Sequence, residues 1–320
     1  FRNSTPYIRA HRSKTFVVFL TGEALEHPNL VNIVHDLALL QVLGVRLVLI
    51  HGARPQLAES LPNAKFHAAR RITTLGELDP LFATFDALRD RIAGLFATGL
   101  PNTPLHGTHI PVEVGNFVTA NPIGVVDGVD HLYTGTPGQI DTANIEAALD
   151  KGALVLISPL GHTADGQAYN LAADELVSTV AVALGADKLL MLDHQGYLAD
   201  DQGELSTILA PTDLKAHLKG DHVTDAQRGH LLALLAAVRG GVPRAHVVSF
   251  EEDGALLGEL FTTSGRGTQI SEEQQTPIRS ATQDDISGII EIIRPLEDKG
   301  ALVRRPRLKA ALGATAQEDR

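Results

Sequence analysis

The sequence predicts an α/β protein built on a mostly parallel sheet with a β-hairpin insertion. Apolar runs alternate with segments of helical periodicity, which is how βαβ units look in a sequence. The 320 residues are 44% hydrophobic, enough to bury the core of one large domain with a smaller appendage. Between residues 110 and 133 the apolar runs shorten and glycine-containing turns interrupt them, which marks the insertion.

Residues 15–20 (TFVVFL) read as a buried strand. Leu30, Ile33, Val34 and Leu37 then fall at i, i+3, i+4 and i+7, one face of a helix that Gly44 can end. Residues 46–50 (RLVLI) form the next strand and run into His51-Gly52-Ala53-Arg54-Pro55, a turn that opens another helix. In the middle region Gly115-Asn116 and Asp127-Gly128 are hairpin signals, so antiparallel strands are expected there. The parallel pattern resumes with strands at 154–158, 188–192 and 245–249, helices at 172–184 and 226–238, and a short helix at 253–261. The turn Ser264-Gly265-Arg266-Gly267 follows. From about Ser271 a polar stretch, SEEQQTP, reads as a linker. Residues 278–281 then read as a short strand and 285–296 as a helix with Ile286, Ile289, Ile290 and Ile293 on one face.

Composition narrows the function. A net charge of −11 argues against a nucleic-acid or anionic-membrane surface. No apolar run approaches the ~18–20 residues needed to cross a bilayer, and FRNSTPYIRAHRSK lacks the apolar region of a secretory signal. The absence of cysteine excludes disulfides and thiolate metal sites. A reducing, cytoplasmic setting without a metal is therefore expected.

Ligands of doubly wound sheets bind outside the carboxyl ends of the strands. That rule directs attention to Thr21-Gly22-Glu23, His51-Gly52-Ala53-Arg54, Pro159-Leu160-Gly161-His162, Asp193 with Gly196, and the glycines around Arg266. Glycine at such turns lets backbone N–H groups approach an anion, and it serves ordinary tight turns equally well.

In order along the chain, FLTGEAL, RLVLIHGARPQL, RRIT, VGNFVTANPIGV, LISPLGHTADGQAYNLAADE, ALGADKLLMLDHQGYL and DGALLGELFTTSGRGTQI resemble the amino acid kinase family. They are most similar to its arginine-biosynthesis branch, acetylglutamate kinase and N-acetylglutamate synthase. The resemblance implies an amino acid kinase-like αβα sandwich over 15–270, preceded by an N-terminal helix at 1–14. Kinases of the family need cations against the nucleotide phosphates, because phosphoryl transfer rests on positioning and charge neutralisation. Their first loop carries a lysine before paired glycines, and here it reads Phe19-Leu20-Thr21-Gly22-Glu23. Their second loop, HGGGP, reads His51-Gly52-Ala53-Arg54-Pro55, and their second catalytic lysine falls at about His230. Asp174 matches the organising aspartate and is expected to cap a helix start. Gly22, Gly52, Arg54, Asp174 and His230 are thus expected to form a degenerate kinase site with no catalytic residue in this chain.

The same resemblance implies an arginine site. Its signature falls on His246, Glu259 and Gly265, with Gly267 and Thr268 completing the turn and Tyr7 as a lid contact from the N-terminal helix. A carboxylate on a short helix can take a guanidinium bidentately, and a glycine turn offers carbonyls to its other donors. An exposed helix glutamate and a buried core histidine are the plainer readings of Glu259 and His246.

Beyond the linker at 271–277, TPIRSATQDDISGIIEIIRPLEDKGALVRRPR is similar to the opening of a GCN5-related acetyltransferase domain, an α+β fold begun at 278–320. The resemblance implies acetyl transfer from acetyl-CoA to L-glutamate, with L-arginine as effector and a homo-hexamer as the assembly. The acetyl-CoA loop, Q/R-x-x-G-x-G/A, does not occur after residue 278. The chain alone is therefore expected to hold no cofactor, to lack acetylation activity and to be truncated. A non-catalytic arginine-binding module and an acetylglutamate kinase are the alternatives.

Overall fold

A computed structural model describes residues 4–97, 107–199, 205–218 and 223–272. The chain divides into two compact units, 1–273 and 274–320, and the second lies outside the described residues. So do the strand and helix expected at 278–281 and 285–296, and nearly all of the linker.

The main sheet has eight strands. From one edge its order is Ile208–Leu209, Gly267–Ile270, Arg244–Ser249, Lys188–Asp193, Thr15–Leu20, Arg46–His51, Leu154–Ile157 and Val112–Val114. The six strands from Arg244–Ser249 onward are parallel to one another. Each residue of TFVVFL is buried because helices cover both faces. Val17 and Phe19 point into one core, roofed by the helices Ala173–Ala183 and Asp225–Arg239. Phe16, Val18 and Leu20 point into the other, beneath Leu30–Val42 and Leu75–Ala97. The result is an αβα sandwich.

Local sequence accounts for the helix ends. Leu30–Val42 stops at Gly44, whose φ of 93° suits glycine. The Gly44 N–H donates to Gln41 O and the Val45 N–H to Leu40 O, which satisfies two terminal carbonyls. Thr224 opens Asp225–Arg239 with a reciprocal cap to Gln227.

A second sheet of four strands closes on itself: Leu160–His162, Ala168–Leu171, Thr134–Ile140 and Val118–Pro122. Asp127-Gly128 turns a hairpin between Val125–Val126 and Val129–Asp130, with φ of 50° and 79°. Gly115-Asn116 does not turn one. The strand before it, Val112–Val114, lies parallel to Leu154–Ile157 in the main sheet, while Val118–Pro122 joins the small one. Gly115 is a crossing point whose Cβ would stand 2.9 Å from the Phe117 ring. The 23-residue helix Leu75–Ala97 had no counterpart among the sequence expectations. It buries Leu78, Leu81, Phe85, Leu88, Ile92 and Phe96.

The hairpin of Lys65–His67 and Arg70–Ile72 turns on Ala68 and Ala69, with φ of 47° and 62°. Alanine in the left-handed region costs ~1 kcal/mol or more per residue, and Asn-Gly is the pair such turns favour. The double substitution Ala68→Asn/Ala69→Gly is therefore expected to raise the melting temperature by about 2–4 °C, a net gain of ~1 kcal/mol after the entropic cost of glycine. A thermal scan checks this, and a lowered midpoint would contradict the strain.

Candidate functional site

Two regions hold the residues singled out above. The first is a cleft of about 490 Å³ at the carboxyl ends of the central strands, lined by Gly22, Gly52, Ala53, Arg54, Arg70, Asp174, Glu175 and His230 among others. A neighbouring cavity, also about 490 Å³, shares His230 and extends over Asp193 and Tyr197.

The glycines of this cleft pack loops together. A Cβ on Gly52 would meet Gly22 N at 2.9 Å, and one on Gly22 would meet Pro55 Cδ at 2.5 Å and Arg54 N at 2.9 Å. Backbone-to-backbone contact between the two loops is enough to require both glycines. The cations nearby are largely spoken for. Arg70 makes a two-pronged pair with Glu175, Arg71 donates to Glu77 at 3.3 Å and to Leu61 O, and Arg228 donates to Leu218 O. No lysine lines the cleft among the described residues. His230 Nδ1 stands 2.8 Å from Asp193 Oδ2. Burial alone would raise the Asp193 carboxyl, but hydrogen bonds from His230 and from the His194 N–H carry it below the usual carboxylate range.

Asp174 departs from expectation. The cap position is Ala172, with no side-chain capping bond, and Asp174 sits inside the first turn, where it accepts the Glu175 N–H at 3.0 Å. A Cβ on Gly229 would stand 2.1 Å from its Oδ2, so any other residue there would oblige the Asp174 carboxylate to turn aside.

The second region joins the strand Arg244–Ser249, the helix Ala255–Phe261 and the turn between that helix and Gly267–Ile270. His246, Glu259 and Gly265 meet there. His246 Nδ1 is 2.6 Å from Glu259 Oε1, and Glu259 Oε2 accepts the Arg266 N–H at 2.8 Å. Both side chains are nearly enclosed, with exposures of 3% and 5%. Gly265 has φ of 65°, and a Cβ on it would fall 2.6 Å from Glu259 Oε2. The glycine is required twice over, by its conformation and by the carboxylate beside it. Glu259 is thus a buried anion and not an exposed helix residue. Hydrogen bonds from His246 and Arg266 and the charge of Lys188 overcome its burial and hold it below the ordinary glutamate range.

Gly267 and Thr268 brace the turn. A Cβ on Gly267 would lie 2.2 Å from Val247 O. Fully buried Thr268 donates its hydroxyl to Ser206 O at 2.5 Å, accepts the Leu198 N–H at 2.9 Å, and gives its own N–H to Gly196 O. The N-terminal helix Thr5–His11, which carries Tyr7, docks through His11. That ring stands 2.8 Å from Leu260 O by its Nε2 and edge-on to Phe261. His11 is a contact the sequence did not flag. Lys188 is another, with its Nζ 3.1 Å from His246 Nε2.

His246 and His51 share an electrostatic property. Burial, reinforced for His246 by Lys188 and Arg244, pushes both rings down to about 4 from an ordinary 6.5. Each stays neutral in the fold and takes up a proton on unfolding wherever the pH lies between those values. Their contribution is therefore complete above pH ~6.5 and is lost as the pH falls toward 4. Urea midpoints measured from pH 7.5 to 4.5 should drop across this window, less so in a His51→Asn variant. A level profile would contradict the assignment.

The amino acid kinase family model matches residues 14–249. The amino-acid acetyltransferase of Azotobacter vinelandii is 47% identical over 311 residues, covering 96% of this chain and 72% of that protein. The chain belongs to the amino-acid acetyltransferases built on an amino acid kinase fold, the N-acetylglutamate synthases. The amino-acid acetyltransferase of Ectopseudomonas mendocina is 45% identical with the same coverage. Among solved structures, N-acetylglutamate synthase from Neisseria gonorrhoeae complexed with coenzyme A and L-arginine aligns with a TM-score of 0.82. It is 34% identical, over 96% of this chain and 72% of that one. Carbamate kinase from Giardia lamblia bound to AMP-PNP, at 14% identity and a TM-score of 0.59, shares the fold alone. This acetyltransferase therefore spans about three quarters of the length of its relatives. No described helix is long and apolar enough to cross a membrane.

Proposed function

We propose that residues 15–270 of this acetyltransferase are an arginine-sensing unit that has given up phosphoryl transfer, and that residues 278–320 belong to its acetyltransferase part. The observation that carries the reading is the enclosed Glu259 carboxylate beside His246 and Gly265. An ionised carboxylate offers about four lone-pair positions, and the His246 and Arg266 N–H groups use two of them. A guanidinium can take the remainder with charge-assisted bonds, while the turn supplies carbonyls. The Neisseria gonorrhoeae neighbour complexed with coenzyme A and L-arginine supports the same ligand. In this reading the enzyme transfers acetyl from acetyl-CoA to L-glutamate in the cytoplasm, works as a hexamer, and answers to arginine as end product. Gly267, Thr268 and Tyr7 complete the site.

Titration calorimetry tests the central point. L-arginine is expected to bind once per chain, and L-citrulline, which keeps the shape and loses the charge, to bind at least tenfold more weakly for the loss of a charge-assisted hydrogen bond. No heat with L-arginine would overturn the proposal.

Loss of phosphoryl transfer is tested separately. With Arg70 and Arg71 paired to carboxylates and no lysine lining it among the described residues, the cleft is expected to form no ADP from ATP and N-acetylglutamate above a protein-free blank, since each absent cation withholds several kcal/mol, on the order of a hundredfold or more in rate. Steady turnover in that assay would refute it.

A further inference from the structure

His67 and His131 make a contact that neither the cleft nor the arginine site uses. His67 ends the strand Lys65–His67, opposite Arg70 in the hairpin. Its neighbours Phe66 and Ala68 line the cleft, so alternation along the strand turns the imidazole to the hairpin's other face. There His67 Nδ1 stands 3.2 Å from His131 Nε2, the rings edge-on with their centres 5.3 Å apart. His131 is 2% exposed and its backbone is tied on both sides. Its N–H donates to Gly124 O, its carbonyl accepts the Thr134 N–H, and the Tyr133 N–H donates to Thr73 O. The ring is less well satisfied. Its Nδ1 is buried without a partner among the described residues, and its Nε2 meets another imidazole. Buried polar groups are normally paired, and an apolar ring would fill this position without that cost.

Two imidazole nitrogens facing each other at this distance also make a metal bite. Zinc holds nitrogen at about 2.0–2.1 Å with tetrahedral angles, which sets two ligand nitrogens about 3.3 Å apart. We propose that His67 Nδ1 and His131 Nε2 are the protein ligands of a divalent transition-metal site, taking zinc, and that the ion braces the hairpin at 65–72 from behind. Imidazole suits zinc among the divalent ions, and the lack of cysteine rules out thiolate sites without touching this one. No cluster of three or more His, Asp or Glu suited to a metal occurs among the described residues, so water fills the other coordination positions and binding is reversible. With zinc in place each ring carries its proton on the nitrogen away from the metal, His67 Nε2 and His131 Nδ1. Two neutral rings therefore release no proton. The consequence is mechanical. Phe66 and the residues from Ala68 to Arg71 form a wall of the cleft, and Arg70 ties that wall to Glu175. Zinc adds a second tie on the opposite face.

The test is zinc itself, added at about pH 7.5, where unperturbed imidazoles are neutral, to protein stripped with a chelator. The chain has 14 histidines, so the readout has to identify the site. Nitrogen-15 spectra should show the His67 and His131 ring nitrogens shifting together over the first equivalent, before any other imidazole. Calorimetry should count one such site per chain. His67→Gln should weaken it at least tenfold, because losing a ligand costs no less than losing a bond that supports one. Amide exchange across residues 65–72 should slow on adding zinc to the wild type and stay unchanged in His67→Gln. His67 is the residue to vary, since it is only half-buried while His131 is enclosed. The spectra need no variant at all, so a His67→Gln protein that does not fold leaves the test intact. Zinc that shifts other imidazoles first, or that binds His67→Gln as tightly as the wild type, would overturn the proposal. A first equivalent that shifts both rings and leaves hairpin exchange unchanged would overturn the brace. No arginine is present in these measurements, so they stand apart from the sensing proposal.

Discussion

Glu259→Ala is expected to leave this acetyltransferase without measurable arginine affinity. The carboxylate sits at 5% exposure with one oxygen on the His246 imidazole and the other on the Arg266 N–H. Bonds between a guanidinium and a carboxylate are each worth about 1.5–3 kcal/mol, so losing even one weakens binding roughly 10- to 150-fold. Loss of both, together with the anion that compensates Lys188 and Arg244 in this corner, should take binding below detection by calorimetry. Glu259→Gln keeps the shape and the contact with Arg266 while removing the charge, and should fall between. Thermal scans of both variants show whether the site has been emptied or the fold lost. Affinity for arginine in Glu259→Ala within a factor of two of the wild type would place the ligand elsewhere.

Gly267→Ala should cost the most stability for a single methyl group. The added carbon would stand 2.2 Å from Val247 O and 3.4 Å from Gly196 O. Neither atom can yield as the end of a side chain would, because Val247 lies in the middle of the strand Arg244–Ser249 and its neighbours are paired on both sides. The strand Gly267–Ile270 would have to pull away from its partner, taking Thr268 off Gly196, Leu198 and Ser206. Overpacking of this kind costs ~2–3 kcal/mol, or about 5–10 °C in melting temperature for a domain of this size. Arginine affinity should fall with it, since Gly265 is two residues away. A variant that melts within 2 °C of the wild type would show that the ladder can open without strain.

The parallel sheet was legible because its strands are buried on both faces and therefore unbroken in hydrophobicity, as TFVVFL and KLLML are. The small closed sheet was only partly so. TGTPGQI and AYNL carry little apolar pattern, and their partners lie far along the chain, so no local signal specifies the pairing. The helix Leu75–Ala97 shows how breakers mislead. Gly76 falls in its first turn and Pro80 lies inside it, so both read as breakers, yet the regular apolar spacing from Leu78 to Phe96 runs straight through the proline. At the site, His246, Glu259 and Gly265 were recognisable as a spaced signature, and the structure brings them into contact. Lys188 was not, because at the head of KLLML it reads as the polar edge of a strand. Only the register with Arg244–Ser249 places its ammonium on the histidine. His11 was hidden similarly among the charges of PYIRAHR.

The strand Gly267–Ile270 has one more property, a mechanical one. It runs against Arg244–Ser249 on one side and alongside Ile208–Leu209 on the other, so ladders grip it along both edges. Its first residue adjoins the turn that holds Gly265, and its last lies opposite Ala245, near the end of the sheet where the parallel strands begin. Four extended residues span about 13 Å. A push delivered at the turn cannot be absorbed by bending, because bending would break pairs on both flanks. Sliding along its own axis would break the same pairs, so the strand answers as one stiff piece with its neighbours, Gly265 close to one end and residue 271 at the other.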